Sequence, residues 1–348
     1  MTLVRAFALA LLLIASSGAP LLASQPDGRS LGMAITVPEH GDFETALALA
    51  IEAGATRVPL TFSWRSLEPE PQTYDDRSLA IAALILPAMG LSIDLAITPI
   101  SGGKLSMPRD LNDRVFDDPD VMTRYLALLD HVLTVLQGAN VNLLLVGVEA
   151  DRYLGDDSDA WARYATFAAN AADFVHERRP GTEVGVQSST SSRLRDPDDW
   201  QAVDAISDII ATSYYPLDGS NVRDPSEIAA DFDALTARYP DRIIRIVETG
   251  FPSSEINGSS LDLQAQFIHE LFAAWDQHAD QIRSITLWTE YDYAPRELGH
   301  LDRPPDQRRD PYVALIGSIG LRLWDGYGAP KPAWDTLLQE TAVRGWSP

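Results

Sequence analysis

Two glutamates stand at the ends of apolar runs, in Val141-Asn-Leu-Leu-Leu-Val-Gly-Val-Glu149-Ala-Asp151 and Arg242-Ile-Ile-Arg-Ile-Val-Glu248-Thr-Gly-Phe-Pro-Ser253. Runs of this length and β-branched content read as buried strands, which places Glu149 and Glu248 at strand C-termini. A carboxylate there is costly if buried alone and useful if a substrate sits above it. A pair of them is the minimum equipment for acid/base and nucleophilic work on a glycosidic bond.

The other residues just past apolar runs are Glu39, Trp64, Asp151, Tyr214, Tyr215, Trp288, Glu290 and Asp292. Acids and aromatics together suit carbohydrate, because aromatic faces stack on sugar rings while carboxylates bond hydroxyls. Trp288, followed by Thr-Glu-Tyr-Asp292, falls at the rim and reads as a stacking residue. Trp64 reads equally as stacking or as core packing. Tyr214 and Tyr215 point to opposite faces of an extended strand, so one of them lines the pocket. Glu290 and Asp292 read as solvated rim acids, and Trp161, Trp200, Trp275 and Trp334 as packing residues. Of the six histidines, four fall within expected helices, and no His-x-His or His-x-x-x-His pair occurs. No metal site or cofactor is expected on these grounds. A serine hydrolase lacks its Gly-x-Ser-x-Gly turn.

The elements that must position these residues alternate. Strands are expected at Ser30–Val37, Thr56–Trp64, Leu91–Thr98, Val141–Val148, Glu183–Ser188, Asp208–Tyr215, Ile243–Val247 and Arg283–Trp288, each followed by a helical pattern or a long loop. Eight such units predict a parallel (β/α)₈ TIM barrel over residues 25–348, a single domain with its chemistry at the strand C-termini. An open doubly wound sheet would need a Gly-rich phosphate turn after an early strand, and none follows Val37 or Trp64. The loop Pro99–Pro119, with Gly102-Gly103, is long enough to be functional rather than a plain connector.

The chain has 27 Lys+Arg against 50 Asp+Glu, a formal charge of -23. Such a surface repels nucleic acid and anionic membranes, and a neutral or cationic substrate fits it better. Residues Met1 to Ser24 read as a signal peptide, with Arg5 as the charged start and Phe7 to Ala15 as the apolar core. No membrane contact is expected beyond that segment, and the protein is expected to be secreted or periplasmic. An uncleaved anchor is the other reading of the same segment. The absence of cysteine removes disulfides and thiolate metal sites.

With these residues in hand, the chain resembles the clan A glycoside hydrolases, the retaining (β/α)₈ cellulase and β-galactosidase superfamily. Glu149 on strand four and Glu248 on strand seven match that clan's acid/base and nucleophile, and Arg57 in Thr-Arg-Val-Pro-Leu60 is similar to its nucleophile-binding arginine. The segments Trp64-Arg-Ser-Leu-Glu-Pro69 and Lys331-Pro-Ala-Trp334 also carry the likeness. Asp208 to Pro216 and Ile246 to Pro252 look most like the arabinogalactan endo-β-1,4-galactanases. The resemblance implies double displacement, with Glu248 held by Arg57 and Tyr214, Glu149 as proton donor, and carboxyls about 5–5.5 Å apart. Trp64 and Trp288 are, by their strand-end positions, the expected aromatic contacts to carbohydrate. One residue departs from the pattern: Val148 stands where the clan has an asparagine that bonds the sugar 2-hydroxyl. That departure keeps open a catalytically inactive glycan-binding barrel of a cell-surface or exopolysaccharide system.

Overall fold

Eight short runs, each with one face too apolar for water, find burial by closing on one another. The computed structural model describes residues 25, 27–196, 198–298 and 310–346; the expected signal segment lies outside them. The barrel strands are β1 (Ser30–Met33), β2 (Ala55–Ser63), β3 (Ser92–Thr98), β4 (Val141–Val148), β5 (Glu183–Ser189), β6 (Ile210–Tyr214), β7 (Ile244–Thr249) and β8 (Ile282–Leu287). All pair in parallel in the order β3, β2, β1, β8, β7, β6, β5, β4, and the β3–β4 pairing closes the ring. This is the TIM barrel that the alternation predicted.

The helices on the outside start where the side chains dictate. Asp42 accepts from Thr45 N–H to begin α1 (Phe43–Glu52). α2 (Arg77–Ala88) follows β2, and α3 (Pro119–Val135) starts on Asp118 with proline at its first position. Asp157 caps α4 (Ser158–Arg178) by accepting two backbone N–H groups. Such caps satisfy donors that no turn of helix can reach. Two short helices, α5 (Thr190–Arg195) and α6 (Gln201–Ile206), lie between β5 and β6. α7 (Ile228–Arg238), α8 (Leu261–Gln277) and α9 (Pro332–Val343) complete the layer.

Between the helices and the sheet lie the large side chains, Trp161, Trp200, Trp275 and Trp334 among them, all buried. Inside the ring is a smaller cluster of Ala96, Leu143, Leu145, Ile209, Ala211 and Val247, with Val148 and Ile243 packed against it. This plug separates the two ends of the barrel. At the end where the strands begin, a polar cavity of about 370 Å³ is lined by Ser30, Arg57, Ser92, Asn142, Glu183 and Arg245. The glutamates are at the other end.

Candidate active site

Each glutamate emerges behind an irregularity in its strand. In β7, Ile246 pairs with Thr212 and Glu248 with Ser213, so two steps of β7 match one step of β6. In β4, Leu145 pairs with Gly185 and Val148 with Gln187, three steps against two. An extra residue of this kind is a bulge, which breaks the in/out alternation and re-aims the next side chain. Val247 packs into the inner cluster and Glu248 also turns to the mouth; Val148 and Glu149 repeat the arrangement. Glu149 takes a left-handed φ of 52°. For a residue with a Cβ that conformation costs on the order of 1–3 kcal/mol, a strain found chiefly at functional positions. Gly250 allows the tips of β7 and β8 to meet, since a Cβ there would fall 2.4 Å from the Trp288 carbonyl oxygen.

Two donors hold Glu248. The Tyr215 hydroxyl donates to Oε1 at 2.5 Å and the Gln187 amide donates to Oε2 at 3.2 Å. Gln187 also joins the two acids, because its carbonyl accepts the Glu149 N–H at 3.0 Å. Burial pushes the Glu248 carboxyl above the usual range, the two donors pull it back, and the charge of Glu149 pushes it up again. Glu149 is raised as well, mainly by burial, against the opposing pull of Arg152. The Arg152 guanidinium donates to Glu149 Oε2 at 2.8 Å from an exposed position. A hairpin formed by residues Ile100–Ser101 and Lys104–Leu105 docks on the tip of β4, with Ser101 paired to Val148, and brings Gly102 over Glu149. The first part of the long loop is thus a wall of the mouth.

No family model and no curated protein matches the sequence. Solved structures do match in shape. A GH5_18 from Bifidobacterium longum subsp. infantis superposes with a TM-score of 0.67 at 16% identity, over 90% of this chain and 79% of that one. A GH5_18 from Streptomyces cattleya in complex with GlcNAc gives 0.68 at 18%, over 91% and 80%. The exo-beta-1,4-mannosidase Op5Man5 from Opitutaceae bacterium strain TAV5 gives 0.68 at 17%, over 90% of this chain and 59% of its own. The (β/α)₈ barrel fold is shared with these glycoside hydrolases.

Within that barrel, three expected substrate contacts fall elsewhere. Arg57 is the third residue of β2, donates to both carboxylate oxygens of Asp94, and lines the cavity at the opposite end of the ring. Tyr214 turns outward, donating to Asp231 at 2.7 Å and packing on Phe232. The tyrosine that reaches Glu248 is Tyr215. Trp64 is wholly buried, its indole N–H bonded to Glu68 at 2.6 Å and its ring against Tyr125. It is a packing residue. Trp288 is half-buried at the mouth, where its indole stands beside the Tyr293 hydroxyl.

The rim acids also differ from expectation. Asp292 is buried and accepts from Lys331 Nζ at 2.7 Å, a contact that ties the C-terminal segment to β8. Glu290 is fully buried, and burial lifts its carboxyl to about 8 against the opposing pull of Arg322 and Tyr291. Gln187 escaped notice because an amide near the end of a weak strand carries no pattern. Its polarity inside an otherwise apolar run was the available signal.

Proposed function

We propose that this chain is a retaining glycosidase of β-linked oligosaccharides. The observation that carries the reading is the pair Glu149 and Glu248 at one mouth, joined through Gln187, with Glu248 held between two neutral donors. A carboxylate that accepts two hydrogen bonds is oriented and kept ionised, as a nucleophile must be. Glu248 attacks the anomeric carbon while the bond to the leaving oxygen breaks and Glu149 delivers its proton to that oxygen. Glu149, now ionised, takes a proton from water, whose oxygen displaces Glu248 from the anomeric carbon. Burial keeps Glu149 protonated to higher pH, which suits the first step.

Structural neighbours direct the choice of sugar. One is named an exo-beta-1,4-mannosidase, and a GH5_18 variant from Bifidobacterium longum subsp. longum ATCC 55813 is in complex with Manb1-4GlcNAc. β-Mannosides are therefore the first substrates to try, with β-glucosides and β-galactosides beside them. Hydrolysis of the 4-nitrophenyl glycosides that disappears in Glu248→Ala and Glu149→Ala, with azide restoring turnover in the second, supports the mechanism. Val148 favours a second reading, a barrel that binds glycan without cleaving it. Oligosaccharide binding with no turnover on the whole panel would decide for that reading. We also propose export, tested by whether the mature protein begins near residue 25.

A further inference from the structure

The polar cavity of about 370 Å³, at the end where the strands begin, is lined by four arginines, Arg29, Arg57, Arg245 and Arg283, against one carboxylate, Glu183. In a chain with 27 Lys+Arg and 50 Asp+Glu that is a local reversal of sign. The partners of each guanidinium show how far it is neutralised. Arg29 is fully engaged: its nitrogens bind Asp27 and Asp276, and it lies over the rings of Trp275 and Trp346. Arg57 gives two nitrogens to Asp94 and reaches Ser30 Oγ with the third at 3.3 Å. Arg245 meets Glu183 Oε2 through Nε at 2.5 Å and Ser284 Oγ through Nη1 at 3.3 Å, which leaves Nη2 without a partner among the described residues. Arg283, half-buried, has neither a hydrogen bond nor an ion pair among them.

Arg57, Arg245 and Arg283 are thus balanced by two acids, Glu183 and Asp94, and one positive charge is left over. It is held in place, because Arg57 belongs to β2, Arg245 to β7 and Arg283 to β8. Burial and then the charge of Arg57 weigh against the Arg245 guanidinium, and Glu183 and Asp94 offset them only in part. A cation set in protein and short of counter-charge is costly, and the planar fork of a guanidinium matches the oxygens of an oxyanion. Asn142, on β4, adds a side-chain amide with no partner among the described residues. The cavity is far larger than one water requires, so an ion and its remaining waters fit.

We propose that this cavity binds a small oxyanion of the phosphate type, received by Arg245 Nη2, the Arg283 guanidinium and the Asn142 amide. The ion links the starts of β4, β7 and β8, and so acts on the stability of the ring rather than on the glutamates. The inference stands apart from the glycosidase reading, since the apolar plug lies between this cavity and the mouth.

Inorganic phosphate titrated into the full chain by calorimetry, in chloride buffer of constant ionic strength, should give one saturable site for which sulfate competes. Glycerol 3-phosphate in the same experiment separates a free ion from the same group carried on a small molecule, and the tighter binder identifies the source. Arg283→Gln should weaken phosphate by about tenfold or more, the worth of one charge-assisted hydrogen bond, and Asn142→Ala should weaken it less. Arg195→Gln removes the same charge from an exposed position beyond the tip of β5 and should leave the Kd unchanged. Neither Arg283 nor Asn142 makes a side-chain hydrogen bond among the described residues, so both variants should fold, and melting curves check this. Phosphate also raises melting temperatures generally, by exclusion from protein surfaces. The rise with phosphate over chloride should therefore be larger in the parent than in Arg283→Gln. Absence of a saturable site overturns the proposal. So do a Kd and a melting rise that Arg283→Gln leaves unchanged, or an equal loss of binding in Arg195→Gln.

Discussion

Tyr215→Phe is the substitution that most directly tests how Glu248, the proposed nucleophile, is held. It removes one hydroxyl and leaves the ring, so packing is kept while Glu248 loses its 2.5 Å donor. A hydrogen bond to a charged group contributes about 1.5–3 kcal/mol, so kcat/KM should fall roughly 10- to 100-fold. The pH profile carries more information. Burial already holds the Glu248 carboxyl above the ordinary range, and Tyr215 is the largest influence pulling it down. Without that donor the carboxyl rises further, and since the nucleophile must be ionised, the acidic limb of kcat/KM moves to higher pH. Tyr214→Phe is the control: its hydroxyl serves Asp231 on the outer layer, so the limb should stay where it is. The assay is a pH series with a 4-nitrophenyl glycoside cleaved by the parent. A Tyr215→Phe limb that stays put or moves to lower pH refutes the reasoning, as does an equal shift in Tyr214→Phe.

Arg152→Gln removes the charge that opposes the burial of Glu149, so that carboxyl rises and the alkaline limb moves to higher pH. Because Arg152 is exposed, the shift should shrink as salt is added, which profiles at two ionic strengths would reveal. Arg57→Met leaves Asp94 as an unpaired buried charge and should cost about 3–5 kcal/mol in urea denaturation, with both pH limbs unmoved. Glu290 keeps its proton in the folded state up to about pH 8, whereas in the unfolded chain it ionises near 4.5. The native state therefore binds the extra proton, and stability falls as pH rises between those values. Glu290→Gln should remove that slope and be the more stable protein in alkaline buffer, as denaturation across the pH range would show.

The eight strands and their order were legible because buried parallel strands are written as apolar runs. Placement along a strand is legible too. Arg57 opens the expected run Thr56–Trp64, and at about 3.3 Å per residue it stands roughly 20 Å below that run's tip, out of reach of Glu248. The tyrosines divided on a different point. Alternation says that Tyr214 and Tyr215 diverge, but which one faces in depends on where β6 stops, and it stops at Tyr214. Glu290 and Asp292 looked like solvated acids because they follow Trp288. Their burial comes from residues 318–331, which fold back across β8 from far along the chain. The role of Gln187 was hidden for a similar reason, since it depends on a carboxylate two strands away.

The bulges in β4 and β7 separate two tasks that a regular strand would couple. Below each bulge the side chains obey the packing of the inner plug; above it, the direction of the glutamate is set by the extra residue. Removing Val247 would restore the alternation with Glu248 in the inward place opposite Ser213, and would take the Val247 side chain out of the plug. The residue count of these two strands, more than their composition, is what any diverged or redesigned copy of this barrel must preserve.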